Sequence, residues 1–157
     1  LTSSLVDLYP TQHREEIDEV NELTYEPINN GVYKTGFARN QQAYDKALDE
    51  LFSHLDLINQ RLEGKDYLVG DQLTEADIRL ITTLLRFDAV YYTHFKCNKK
   101  HIYEFNNLKK YTMNLYNNFD AIRETTNIAH IKEHYYYSHE FINPNRIVPK
   151  GPELFFL

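Results

Sequence analysis

LTEADIRLITTLLRFDAVYY, residues 73–92, is the stretch on which the fold turns. Thr74 stands where an N-cap hydroxyl accepts from the amide three residues on, and Asp77 where a carboxylate reaches back to the Thr74 amide. Together they spell a capping box with Asp in the usual place of Glu or Gln. Leu73 and Ile78 are placed to close a hydrophobic staple across it. The residues that follow, Ile78, Leu80, Ile81, Leu84, Leu85, Phe87 and Val90, are apolar on several faces, the pattern of a helix enclosed by its neighbours. A central, buried helix is predicted from Thr74 to about Tyr92.

Outward from this helix the periodicity stays near three and a half residues. Tyr44, Ala47, Leu48, Leu51, Leu55, Ile58 and Leu62 form an amphipathic stripe over 40–62, with Gly64 placed to close it. Tyr67 to Gly70 form a short apolar link. Upstream, Pro10 suits a first turn, acids Glu15, Glu16, Asp18 and Glu19 follow, and Ile17, Val20, Thr24 and Ile28 step by three or four, so a helix is expected over 10–29. Asn29, Asn30 and Gly31 are expected to end it, with Val32 to Ala38 as a connector. Downstream, Leu108, Tyr111, Leu115 and Phe119 make one stripe; Ile128, Ile131 and Tyr135 make another, capped by Asn127. Pro144, Pro149 and Pro152 forbid a continuous helix beyond Phe141, where an extended tail (about 140–157) should cross the surface. Strand alternation, repeats and low-complexity tracts are lacking, so the fold class is all-α.

The chain has 157 residues, enough for one domain with one core, and 42% are hydrophobic. With 17 Lys and Arg against 23 Asp and Glu the formal charge is −6, and the absence of a basic block argues against nucleic acid as partner. No stretch approaches the length of a membrane span, and there is no signal-like start. A single cysteine, Cys97, excludes a disulfide framework and fits a reducing compartment, so a cytoplasmic location is expected. The composition carries 13 Tyr and 9 Phe with no Trp, an aromatic content rich in hydroxyls that want partners when buried.

Three constellations bear on chemistry. His130, Glu133 and His134 spell H-x-x-E-H, the pattern of an inverted zinc peptidase, but a third ligand and a cleft are needed and little chain follows; a histidine pair on an exposed helix is the simpler reading. His94, Cys97 and His101 have metal-like spacing, yet read more simply as a helix-end cluster, so no metal is expected. Lys96, Lys99, Lys100 and His101 could lower the Cys97 pKa, though an ordinary thiol is the plainer account. Glycine-rich nucleotide loops and a nucleophile elbow are absent. Tyr33 and Tyr135 are candidate ligand phenols, donating or accepting while offering a ring face to an aromatic, hydroxylated molecule.

NNGVYKTGFA (29–38), YLVGDQLTEADIRLITTLLRFDAVYYTHFKCN (67–98), HYYYSHEFINP (134–144) and IVPKGP (147–152) closely resemble the C-terminal helical domain of glutathionyl-hydroquinone reductases, the omega-like Xi class of glutathione S-transferases. The capping box is general to the superfamily; NNGVYK, RFD…HFKCN and H-Y-x-x-S-H-x-x-I-N-P are specific to the class. The resemblance implies a helical bundle over 1–157 that, in the family, follows a thioredoxin-like N-terminal domain absent from this chain. In the family that domain holds most of the co-substrate glutathione and a Cys-Pro nucleophile. The cysteine attacks the glutathione sulfur of a glutathionyl-hydroquinone, hydroquinone is released, and a second glutathione resolves the mixed disulfide.

Matched position by position, Tyr33 and Tyr135 fall on the family tyrosines that hydrogen-bond the hydroquinone hydroxyls. Tyr136 and Tyr137 fall on variable places, while Ser138, His139, Asn143 and Pro144 are expected to fix the tail. Cys97 matches the HFKCN cysteine and not the nucleophile, so no catalytic residue is expected in this chain. The expected function is therefore the substrate-pocket half of a glutathione-dependent reductase, homodimeric when complete and inactive alone. The alternative is a catalytically inert binding or dimerisation module of the same fold, with an apolar face for another chain to cover.

Overall fold

The computed structural model describes residues 6–157; residues 1–5 of the expected single domain lie outside the described residues. The fold is a bundle of eight helical segments with no strand among the described residues: α1 Arg14–Thr24, α2 Gly31–Gly36, α3 Gln41–Arg61, α4 Glu75–Arg86, α5 Tyr92–His94, α6 Asn106–Asn118, α7 Asp120–Thr125 and α8 Ile128–Ser138.

Helix α4 is the hub. Its residues Leu80 and Leu84 are fully buried, and it packs on α1 and α6. The capping box at its start is present, and Asp77 does more than cap. Its buried carboxylate accepts from the Thr74 amide at 2.9 Å, the Leu68 amide at 3.0 Å and the Tyr111 hydroxyl at 2.8 Å. One side chain thus fixes the helix start, the apolar link before it and the facing helix α6. Burial raises the Asp77 pKa and these bonds oppose the rise.

Helix α3 is bounded as the spacing predicts. The Asn40 side chain caps it by accepting from the Ala43 amide at 2.8 Å, and Gly64 follows at φ +68°, a left-handed position that glycine takes without strain. Asn127 caps α8 in the same way, accepting from the His130 amide at 3.0 Å.

Four expectations need correction. The helix expected over 10–29 does not stop at Asn29: α1 runs into a π-turn, Tyr25–Asn29, and then directly into α2. Pro27 lies in that turn, and a proline ring, lacking an N–H and clashing with the preceding turn, fits a widened helix better than a regular one. The stretch 32–38, expected as a connector, is therefore mostly helix. Gly31 does not serve as a left-handed closer there: it lies in α2 beside Leu51 of α3, where a Cβ would make only ordinary contact, whereas Gly36 leaves room for the Phe95 ring. The helix predicted to Tyr92 also widens, into a π-turn at Phe87–Tyr91 that leads into α5. Finally, the polar break after α6 contains the short helix α7.

The tail after α8 has no helix, in keeping with its prolines, but it does not lie loose on the surface. Leu154 and Phe156 are buried. Lys132, only 7% exposed, donates through its ammonium to the carbonyls of Pro149, Lys150 and Gly151 at 3.2, 3.0 and 2.8 Å. Asn143 donates to the Tyr136 and Ile147 carbonyls at 2.7 and 3.1 Å.

Candidate functional site

The two π-turns and α8 converge on one cluster of phenols. Tyr33 comes from α2, just after the first π-turn; Tyr91 closes the second; Tyr135 comes from the middle of α8. The Tyr33 and Tyr135 hydroxyls are 2.6 Å apart and the Tyr135 and Tyr91 hydroxyls 2.8 Å apart, a continuous line of three hydrogen-bonded oxygens. Phe95 backs the phenols from the core side: its buried ring stacks on Tyr91 with centroids 5.4 Å apart and meets Tyr33 at 5.3 Å. A Cβ on Gly36 would clash with the Phe95 ring, so this glycine sets where that ring lies.

The phenols line a cleft of about 370 Å³ completed by Asn29, Asn30, Thr82, Thr83 and Arg86. That is the lower part of the roughly 300–1,000 Å³ range of small-molecule sites. Asn29 is held by donating to the Arg79 carbonyl at 2.9 Å and to the Thr83 hydroxyl at 2.7 Å, which leaves its buried side-chain oxygen without a partner. Arg86 donates to the Thr82 carbonyl at 2.7 Å. Burial, then the bond with Tyr33, pushes the Tyr135 phenol up to about 12, while the bond from Tyr91 and the nearby Arg86 charge hold it down. Burial raises Tyr91 further still. The Tyr135 and Tyr91 hydroxyls are therefore uncharged at neutral pH, and the cleft presents phenols beside the Arg86 side chain. This suits a planar ring carrying oxygen substituents.

Residues 41–112 match the family model described as glutathione S-transferase, C-terminal domain. Over 146 residues the chain is 49% identical to glutathionyl-hydroquinone reductase PcpF of Sphingobium chlorophenolicum, a match covering 93% of this chain and 46% of that protein. The crystal structure of the Xi glutathione transferase of Phanerochaete chrysosporium superposes with a TM-score of 0.94 at 54% identity, over 97% of this chain and 51% of that one. The chain is a glutathione transferase C-terminal domain of the Xi class. The glutathione-bound structure of YqjG, a homologue from Escherichia coli K-12, is similar at a TM-score of 0.93 and 46% identity, over 98% of this chain and 50% of that one. This Xi-class domain spans about half the length of the curated relatives it matches.

Within the Xi-class domain the other sequence candidates separate. Cys97 is fully buried, with its Sγ against the Val32 and Phe95 carbonyls, and burial pushes the thiol above its ordinary range. Such a thiol is a poor nucleophile. His94 is buried and bonded to His139 at 3.0 Å, while His101 lies between the Tyr92 and Tyr103 rings, so the spaced trio His94, Cys97 and His101 does not converge. His130, Glu133 and His134 are exposed on α8. Among the described residues no three His, Cys, Asp or Glu side chains are grouped as metal ligands. No described helix is long and apolar enough to cross a membrane.

Sequence reasoning missed Tyr91, Asn29 and Arg86 as cleft residues. Tyr91 follows Phe87 by one helical step and reads as core, which its 3% exposure partly justifies. Its hydroxyl is what makes it part of the site, and only the meeting of α8 with the second π-turn reveals that.

Proposed function

We propose that this domain is the substrate-pocket half of a glutathione-dependent reductase acting on glutathionyl-hydroquinones. The observation that carries the reading is the Tyr33–Tyr135–Tyr91 line of hydroxyls on the wall of a cleft. In this reading the hydroquinone ring enters the cleft beside these phenols, and Tyr33 and Tyr135 hydrogen-bond its oxygens. The relatives named as glutathionyl-hydroquinone reductases and the glutathione-bound homologue support this substrate class and glutathione as co-substrate.

The bonds that change lie outside this chain. A cysteine thiolate on a thioredoxin-like N-terminal half attacks the glutathione sulfur, and the carbon–sulfur bond to the ring breaks. The hydroquinone leaves with the electron pair and gains a proton, and a second glutathione thiolate releases oxidised glutathione and the free cysteine thiolate. This chain's residues orient the ring and bind its oxygens while that exchange occurs. The complete protein is read as a cytoplasmic homodimer.

The test is to assay glutathionyl-hydroquinone reduction by the 157-residue chain alone and by the same chain joined to a thioredoxin-like domain of a relative. The joined protein is expected to turn over and the isolated chain to be inert. Turnover by the isolated chain at the rate of the joined protein would overturn the assignment of the nucleophile to the other half.

A further inference from the structure

The line of three phenols has a direction. Each phenol has one proton to donate, and the three oxygens stand in the order Tyr91, Tyr135, Tyr33 at 2.8 and 2.6 Å. Tyr91, 3% exposed, is the most enclosed of the three although it also touches the cleft; Tyr33, half-buried on the cleft wall, is the most open. If Tyr91 donates to Tyr135 and Tyr135 donates to Tyr33, the two more enclosed protons find phenol acceptors and the Tyr33 proton is left for the cleft. The opposite order would turn the most enclosed proton away from the phenol beside it, an arrangement a folded protein disfavours.

We infer that Tyr91 is a positioning residue that sets this proton order, so that the cleft takes its ligand through an accepting oxygen, a phenolate or a quinone carbonyl, in preference to a neutral hydroxyl. Two further features of the site agree. A hydroxyl that already accepts a hydrogen bond is a stronger donor, so the chain from Tyr91 sharpens the donor at Tyr33. Arg86, on the same wall, adds a positive charge beside the place where the ligand oxygen would lie. The inference rests on the reading that the cleft holds an oxygenated aromatic ring.

The probe is 4-nitrophenol, whose absorbance separates phenol from phenolate, titrated into the 157-residue protein across a pH series. The bound probe is expected to ionise about one pH unit or more below the free probe. Tyr91→Phe keeps the ring on Phe95 and removes the proton; it is expected to move the bound ionisation at least halfway back and to weaken phenolate binding about threefold to tenfold. Should Tyr91→Phe fail to fold by circular dichroism, the unaltered protein still decides. A bound probe that ionises above the free one overturns the proton order while leaving the ligand reading intact. So does a folded Tyr91→Phe with the parent's profile. Absence of saturable binding overturns both.

Discussion

Tyr33 and Tyr135, 102 positions apart in the chain, share a 2.6 Å hydrogen bond between their hydroxyls. The bond exists because α2 is a helix entered from a π-turn and α8 crosses the second π-turn, so two distant segments deliver one phenol each to the same cleft wall. Removing either hydroxyl in a complete two-domain protein carrying this domain is expected to lower kcat/KM for glutathionyl-hydroquinone while the fold remains. A hydrogen bond of ordinary net strength, about 0.5–1.5 kcal/mol, corresponds to roughly a twofold to tenfold loss for Tyr33→Phe or Tyr135→Phe. Steady-state kinetics checks the loss and near-unchanged melting checks the fold. If both variants matched the parent, the tyrosines would revert to core packing.

Gly36→Ala reaches the same site from outside it. The added methyl must displace the buried Phe95 ring, which touches both Tyr33 and Tyr91. Overpacking of this kind costs about 1–3 kcal/mol. Chemical denaturation is expected to show that loss, and the ring resonances of Tyr33 and Tyr91 should move with it. An Ala variant of parental stability would mean that the Phe95 ring yields easily.

His94 and His139 predict an acid-sensitive fold. Burial, the neighbouring His139 and then Lys96 hold the His94 pKa down from 6.5 to about 4, and burial with the nearby His134 lowers His139. A base that resists protonation when folded binds fewer protons than when unfolded. The stability it contributes is complete above about 6.5 and is lost as pH falls toward 4. For His94 the displacement amounts to roughly 3 kcal/mol. Melting temperature measured from pH 7.5 to 4.5 should fall, and more steeply than in a His94→Gln variant. A flat profile in both would contradict the buried neutral pair.

Cys97 should be silent to reagents in the native state. Its burial and raised pKa leave neither access nor thiolate. A thiol reagent is expected to label it only on unfolding, with the rate following denaturant concentration. Rapid labelling of the native chain would show that the HFKCN segment opens.

Lys132→Met tests the clamp on the tail. The change removes three donors from the carbonyls of Pro149, Lys150 and Gly151 while keeping most of the packed stem. A loss of about 1–3 kcal/mol is expected, with faster amide exchange confined to the residues after Pro149. Exchange unchanged there would mean that Leu154 and Phe156 alone hold the tail.

What could be read from the chain followed from local chemistry. The Thr74–Asp77 capping box, the Asn127 cap and the Gly64 closure each involve residues within a few positions of one another, and the periodic stripes mark the buried faces. Gly31 misled because a glycine that closes a helix and one that lies inside a short helix look alike in sequence. Which of the two applies depends on how α2 packs against α3, which the local sequence does not state. Tyr33 and Tyr135 stood out through family motifs, whereas Tyr91 was hidden in a core stripe and Asn29 in an expected helix end. Both enter the site through π-turns, whose extra residue shifts the register that periodicity assumes.

The central claim, that the Tyr33–Tyr135–Tyr91 wall binds an oxygenated aromatic ring, is tested most directly by titrating hydroquinone, kept reduced, into the chain labelled at every tyrosine ring carbon that bears the hydroxyl. The label places one reporter on each of the 13 tyrosines. The account predicts saturable shifts at Tyr33, Tyr91 and Tyr135 together, with one dissociation constant, while Tyr111 and Tyr116 in the bundle core stay still. Shifts confined to other tyrosines, or none that saturate, would contradict it.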